Sequence, residues 1–384
     1  MAPSRRVAQA SRAALMMVAN SERDADMYYA VGCSVPDPFL YFRVGGRSVA
    51  LVSDLEYDRV RKQAKVQRVE RYSLWAKKAE GLSTPRPSLA GVAAFFLKKH
   101  GVRKVVVPSS FPFGLATALT RLGVSLEAKS GPFWEERAIK RRDEVSAIAR
   151  ALASTEAAIH KAEDHLRRSV ILGNRILHRG AVVTSESLRR LIDVALLEDG
   201  CVANHTIVAS GDQGCDPHQA GTGPIRPHQS LVVDVFPRSS RTFYFADITR
   251  TFVKGRASEA LRRQYAAVEA AQAVGLRMIR DGAQGRDVHL AVAREMEGRG
   301  YKTERRGGAM TGFFHGTGHG VGLEIHEAPR VNATPHVLRT GEVVTVEPGL
   351  YYPGVGAVRL EDMVYVTAKG NRNLTKYPRK LEIR

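Results

Sequence analysis

The stretch from Gly312 to Glu327, GFFHGTGHGVGLEIHE, constrains the local fold more than any other part of this 384-residue chain. It sets five glycines between Gly312 and Gly322, and adds His315, His319 and His326 with the acids Glu324 and Glu327. Each glycine in a helix interior costs roughly 1 kcal/mol relative to alanine, so this segment is expected to be extended or turned. His315 and His319 are then not the two ligands of a helical H-E-x-x-H site, and the residues between them do not match that motif. The glycines are expected where backbone must approach a ligand or a metal closely. Histidines in such a setting are candidates for metal ligation or proton transfer. A polar loop with ordinary histidines reads the same at this level, so the rest of the chain has to decide.

The length allows two domains, and 44% hydrophobic with 25% charged residues excludes a disordered or membrane-embedded chain. Cys33, Cys201 and Cys215 form no C-x-x-C pair and leave one over, which fits a reducing, cytoplasmic setting rather than a disulfide framework. The net charge of +19 is densest from Arg59 to Lys78, with Tyr72 and Trp75 near the end of the patch. A nucleic-acid surface and a solvated helix face both fit. The second is preferred because no nucleic-acid motif accompanies the charge. The first 21 residues lack acids and contain Arg5, Arg6 and Arg12, superficially like a transit peptide. The apolar run Ala13 to Ala19 is too short to span a membrane and is read as part of an integral first helix, followed by a strand. No other segment reads as a membrane span.

Taken in order, FLYFRVGGRSVALVS (39–53) reads as a hairpin turned at Gly45-Gly46. A charged helix from about Glu56, a helix over Ser88 to His100, a strand over 102–108, a helix over Phe113–Leu122 and the strand VSLEA follow. This alternation predicts a small α/β domain over residues 1–130. Gly131-Pro132 marks a boundary, and residues 131–384 read as an α+β domain. Its elements are a long helix from Glu135 to Leu172, a helix from Thr184 to Gly200, strands from Asn204 to Phe252, helices over Ser258–Ile279 and Asp287–Glu297, and extended chain from Gly341. The order helix pair, sheet, helix pair, sheet suggests an internal quasi-duplication.

Four acids then stand out because their neighbours are apolar. Asp234 lies inside SLVVDVF, where an unpaired carboxylate is costly without a partner such as a metal. Asp247 lies in TFYFADITRTF. Pairing Phe236 with Phe243 across PRSSRT puts Asp234 opposite Phe245 and makes Asp247 its diagonal neighbour on the same face, within reach of a common ion. Glu347 ends EVVTVE and Glu361 sits in AVRLEDMVYV. Each alone fits a buried hydrogen-bonded acid; together with the histidines they do not.

The order Asp, Asp, His, Glu, Glu in the settings DVFPR, YFADITRT, HGTGHGVGLEIHE, TVEPGLYY and RLED resembles the pita-bread metallopeptidases. That family includes aminopeptidase P, prolidase and methionine aminopeptidase, with creatinase as a metal-free relative. The resemblance covers about residues 135–384, and the first part resembles the creatinase/prolidase N-terminal domain more loosely. The aspartates stand 13 apart, wider than in many relatives, which is read as two extra residues in the hairpin turn. The resemblance implies two divalent ions held by Asp234, Asp247, His319, Glu347 and Glu361, with His315, His326 and His218 contacting substrate. A site of one imidazole and four carboxylates suits Mn²⁺, with Co²⁺ or Zn²⁺ as alternatives.

By the same resemblance, a hydroxide shared by the two ions attacks the scissile carbonyl. Glu347 shuttles its proton, and His326 and His315 bind the carbonyl and oxyanion. Asp234 or a metal receives the substrate N-terminus. Arg359 orients ligand carboxylates, and Tyr351 and His218 line the pocket of the second residue. The implied substrate is a peptide with proline second, cut by an Xaa-Pro aminopeptidase or Xaa-Pro dipeptidase (prolidase) that forms a homodimer. The rivals are a creatinase-like C–N hydrolase, weakened by the full ligand set, and a non-catalytic pita-bread module binding nucleic acid or an acidic partner. A cysteine protease built on Cys215 and His218 lacks an orienting third group.

Overall fold

Gly45 and Gly46, at φ 56° and 80°, turn the chain between the strands Phe39–Val44 and Arg47–Val52, as a tight hairpin turn demands. Around that hairpin a six-stranded sheet forms in the order Arg68–Arg71, Arg47–Val52, Phe39–Val44, Ala14–Ala19, Lys104–Pro108, Ser125–Lys129. Alternation along its strands separates two cores. Met16, Leu40 and Phe42 pack with Trp75, Phe96 and Leu119 on one face. Met17, Tyr41 and Val52 pack with Met27, Val60 and Trp134 on the other. The structure, a computed structural model, describes residues 13–80 and 87–384. Contacts divide the chain into two compact units after Glu135. Arg5, Arg6 and Arg12 of the transit-like segment lie outside the described residues.

The expected first helix is corrected: Ala14–Ala19 is a strand, and Ala25–Val31, capped by Asp24, is the helix. The run is apolar throughout because it pairs on both sides, antiparallel with Phe39–Val44 and parallel with Lys104–Pro108, and is central in the sheet. A strand buried on both faces shows no alternation and cannot be told from a helix by periodicity. The basic stretch is likewise more than a helix face. It spans the end of the helix Asp54–Gln63, the strand Arg68–Arg71 and the helix Tyr72–Glu80. Trp75 is in the core, so it offers no open stacking platform.

The second unit carries helices Arg142–Arg167, Ser185–Glu198, Glu259–Met278 and Gly285–Gly298. Thr184 caps the second by accepting the Ser187 N–H, and Ser258 caps the third by accepting that of Leu261. The long helix is shorter than expected. A 3₁₀ turn, Glu135–Ala138, precedes it, and Val170–Leu172 beyond it is a strand, hairpinned through Gly173 at φ 57° to Arg175–His178. The β-branched run Ser-Val-Ile-Leu before Gly173-Asn174 favours that hairpin. Two larger sheets lie in the unit. One runs Ile207–Ser210, Leu231–Val235, Ile248–Lys254, Glu382–Ile383; the other runs Glu327–Val331, Gly318–Gly320, Val343–Val346, Asp362–Thr367, Gly370–Asn373. Among the described residues, no helix is long and apolar enough to cross a membrane.

Candidate active site

Asp234 sits in Leu231–Val235, buried on both sides, and its antiparallel partner is Thr249 rather than Phe245. The Phe236–Phe243 pairing is absent: Arg238 bridges Phe245, Arg238–Ser239 pairs with Cys201–Val202, and Phe243 takes φ 62°. The excursion of the loop moves the register by an even step. Side chains keep their face under an even shift, so Asp247 remains diagonal to Asp234. Thr249, on that same face, donates its hydroxyl to Glu361 Oε2 at 2.9 Å.

The glycines of the histidine stretch serve strand packing. A Cβ on Gly318 would lie 2.0 Å from the Thr345 carbonyl oxygen, and one on Gly320 would lie 2.3 Å from that of Ala328. They allow neighbouring strands to come close, and Gly316 and Gly318 also line the cavity. That packing seats His319 between two acids. Its backbone N–H donates to Thr345 Oγ1 at 3.1 Å and its Nδ1 donates to the Gly320 carbonyl at 3.2 Å. Nε2 is left facing Asp247 Oδ2 at 3.6 Å and Glu347 Oε1 at 3.4 Å. Asp247, His319 and Glu361 each offer a ligand atom within 4.8 Å of the others.

The cluster is short of positive charge. Asp234, Asp247, Glu347 and Glu361 line one cavity of about 440 Å³ together with Arg359, which donates to Asp234 Oδ2 at 2.6 Å. Burial first, then the neighbouring carboxylates, raises Asp247 and Glu361 well above the carboxylate range. Burial pushes Glu347 up to about 7 against the pull of Arg359. Asp234 Oδ1 and Glu361 Oε1 are buried with no hydrogen-bond partner. Buried acids without donors or counter-charge are destabilising. An oxygen-rich set with a single imidazole fits hard divalent cations.

On the substrate side, burial lowers His315 to about 3 and keeps it neutral. Its Nδ1 donates to the Gly316 carbonyl at 2.8 Å, so Nε2 accepts from the Tyr351 hydroxyl at 2.8 Å, which in turn accepts from Arg359 Nη1 at 3.1 Å. Tyr351 is fully buried behind His315 and does not line the cavity as the sequence suggested. Its ring is needed as a prop in that chain. His326 stands edge-on to His319 with ring centroids 4.4 Å apart, and His218 lines the mouth, its N–H donating to Asp216 Oδ1 at 3.1 Å. Ile207, Phe236, Phe314 and Ile325 supply apolar wall. The Cys215 thiol is pushed up to about 12 by burial, which removes it as a nucleophile.

Sequence reasoning missed the supports. Thr249 was legible by strand alternation from Asp247. The contacts of Lys140 Nζ with Glu327 Oε1 at 2.5 Å and of Arg137 Nη2 with Glu327 Oε2 at 2.7 Å join residues far apart in the chain and leave no local pattern. They anchor the segment that carries His326.

The sequence profile of metallopeptidase family M24 matches residues 146–368. The Xaa-Pro dipeptidase of Pyrococcus horikoshii is 28% identical over 364 residues, covering 94% of this chain and 92% of that protein. Xaa-Pro aminopeptidase 1 of Streptomyces coelicolor is 30% identical over 333 residues, covering 79% of this chain and 65% of that one. The solved prolidase from Pyrococcus horikoshii OT3 superimposes with a TM-score of 0.78 at 25% identity, covering 98% of this chain and 97% of that one. The chain belongs to metallopeptidase family M24 and is a metallo-exopeptidase of the pita-bread fold, a class that works with divalent metal.

Proposed function

We propose that this protein removes the N-terminal residue from peptides with proline in the second position. The observation that carries this reading is the cluster of four under-neutralised carboxylates, three of them buried and Glu347 half-buried, with one imidazole at the wall of a cavity rimmed by histidines. The names of the relatives support it. Asp234, Asp247, His319, Glu347 and Glu361 would hold two divalent ions, Mn²⁺ by the hardness of the donors. Bound there, such ions supply Lewis-acid polarisation and lower the pKa of water.

The side chains do the rest. Glu347 takes the proton of the attacking water and passes it to the leaving nitrogen. His326, whose ring makes no hydrogen bond among the described residues, donates to the oxyanion as it forms. His315 is engaged with Tyr351 and acts as a fixed wall. The apolar residues opposite give the pyrrolidine ring a dry surface.

Arg330 also lines the cavity and makes no ion pair among the described residues. A cation at that mouth suits the free C-terminal carboxylate of a dipeptide, which favours dipeptidase over longer-peptide activity. The three free thiols fit a cytoplasmic setting, and a homodimer is the expected assembly, tested by light scattering. A panel of Ala-Pro, Ala-Pro-Ala and Met-Ala-Ser with Mn²⁺ tests the function. Ala-Pro should be cut fastest, with Arg330→Ala raising its KM most. Preference for Met-Ala-Ser would contradict the proline reading.

A further inference from the structure

The helix Glu259–Met278 buries two glutamines where an apolar residue would be expected. Gln264 and Gln272 are 1% and 0% exposed, buried on the helix with Leu261, Tyr265, Ala267, Val268, Ala271 and Gly275. Gln272 Nε2 donates to the Val346 carbonyl at 3.0 Å and to the Leu360 carbonyl at 3.1 Å. Those carbonyls belong to the peptide units that lead directly into Glu347 and Glu361. One amide nitrogen thus ties together the backbones from which both glutamates project, although the glutamates sit on different parts of the chain. Gly275, one turn further on, makes the contact reachable: a Cβ there would stand 3.0 Å from Val346 Cγ1, so the helix can lie close against that strand.

The clamp has a cost that packing does not require. Gln272 Oε1 is buried and has no hydrogen-bond partner. A buried acceptor left unpaired is destabilising. Gln264 makes the same fork elsewhere, donating to the Leu350 carbonyl at 2.8 Å and to that of Gly356 at 3.1 Å. Neither of those peptide units leads into an acid of the site.

We infer that Gln272 is a positioning residue for the metal centre: it fixes the spacing of Glu347 and Glu361 so that both can serve the same pair of ions. The inference rests on the metal-ligand reading given above. Supporting partners outside the ligands commonly change metal affinity by ten- to a hundredfold. Gln272 therefore sets ion affinity, while Gln264 provides an internal control with the same chemistry and burial.

The test is calorimetric titration of Mn²⁺ into metal-free wild type, Gln272→Met and Gln264→Met, each first melted without metal. The methionines keep the volume and remove both donors. The expected result is Mn²⁺ affinity weakened about tenfold or more in Gln272→Met and changed less than about twofold in Gln264→Met, with similar losses of metal-free Tm in the two variants. The kcat of Gln272→Met should recover towards wild type at saturating Mn²⁺. Should Gln272→Met not fold, Gln272→Leu, which also removes both donors, is titrated in its place and should show the same loss. Equal affinity in wild type and the Gln272 variant, or equal weakening in both glutamine variants, would overturn the inference. Wild type that takes up no Mn²⁺ would instead overturn the metal-ligand reading beneath it.

Discussion

Two kinds of buried acid coexist in the catalytic unit, and they are treated in opposite ways. Glu327 receives Lys140 and Arg137, and Asp362 receives Arg250 Nη2 at 2.9 Å as well as Arg379. Each of these carboxylates has two cations of its own. Asp234, Asp247, Glu347 and Glu361 share one cavity whose nearest internal counter-charge is Arg359, already bonded to Asp234. The chain therefore supplies buried cations freely where an acid is structural and withholds them at the cavity. The difference is what the proposed metal centre requires: a deficit of charge at the cavity that ions from outside would fill.

Breaking the active end of this contrast should have the largest effect. On the proposed roles, Glu347→Ala would remove both the proton shuttle and a metal ligand, and should lower kcat about 10²–10⁴-fold or more while the circular dichroism spectrum stays unchanged. Residual activity within tenfold of wild type would refute that role. Next comes the sign of two isosteric changes in metal-free protein. Glu327→Gln leaves Lys140 and Arg137 short of counter-charge and should lose about 3–5 kcal/mol in urea unfolding. Asp247→Asn removes a carboxyl that burial and its neighbours force to take up a proton on folding without metal, and should raise the metal-free midpoint. Two losses of similar size would erase the distinction. Smaller again, each Mn²⁺ ion at a hundred times its Kd should stabilise wild type by about 2.7 kcal/mol, read as a rise in Tm that Asp247→Asn lacks.

The smallest effect concerns His315. Its pKa is lowered to about 3 from the ordinary 6.5. As pH falls through 6.5 the unfolded chain takes up the proton and the folded protein does not, so this group's share of stability is present above pH 6.5 and drains away down to about 3. Side-chain NMR should find the ring neutral at pH 5. A midpoint near neutrality would show that the rim is wetter than described.

The site was more legible in the sequence than its supports, for a physical reason. A carboxylate inside SLVVDVF contradicts its surroundings, so Asp234 announces itself, and the same holds for Glu361 between apolar neighbours. The exact hairpin register was not legible. Burial on both faces removes alternation, and the loop excursion through Arg238–Ser239 depends on a distant strand. The first strand was misread as helix for the same lack of alternation. Lys140, Arg137 and Gln272 act across long sequence separations through backbone or buried contacts, which no local pattern records. The glycines around His319 were noticed, but only the structure attributes them to strand contact.

The central claim is that this carboxylate cluster is a binding site for two divalent ions. Metal analysis of wild type, Asp247→Asn and Glu361→Gln after dialysis against Mn²⁺ tests it most directly. The account predicts up to two ions per wild-type chain and fewer in each variant, with all three proteins folded. A wild type free of metal, or variants loaded as fully as wild type, would contradict it.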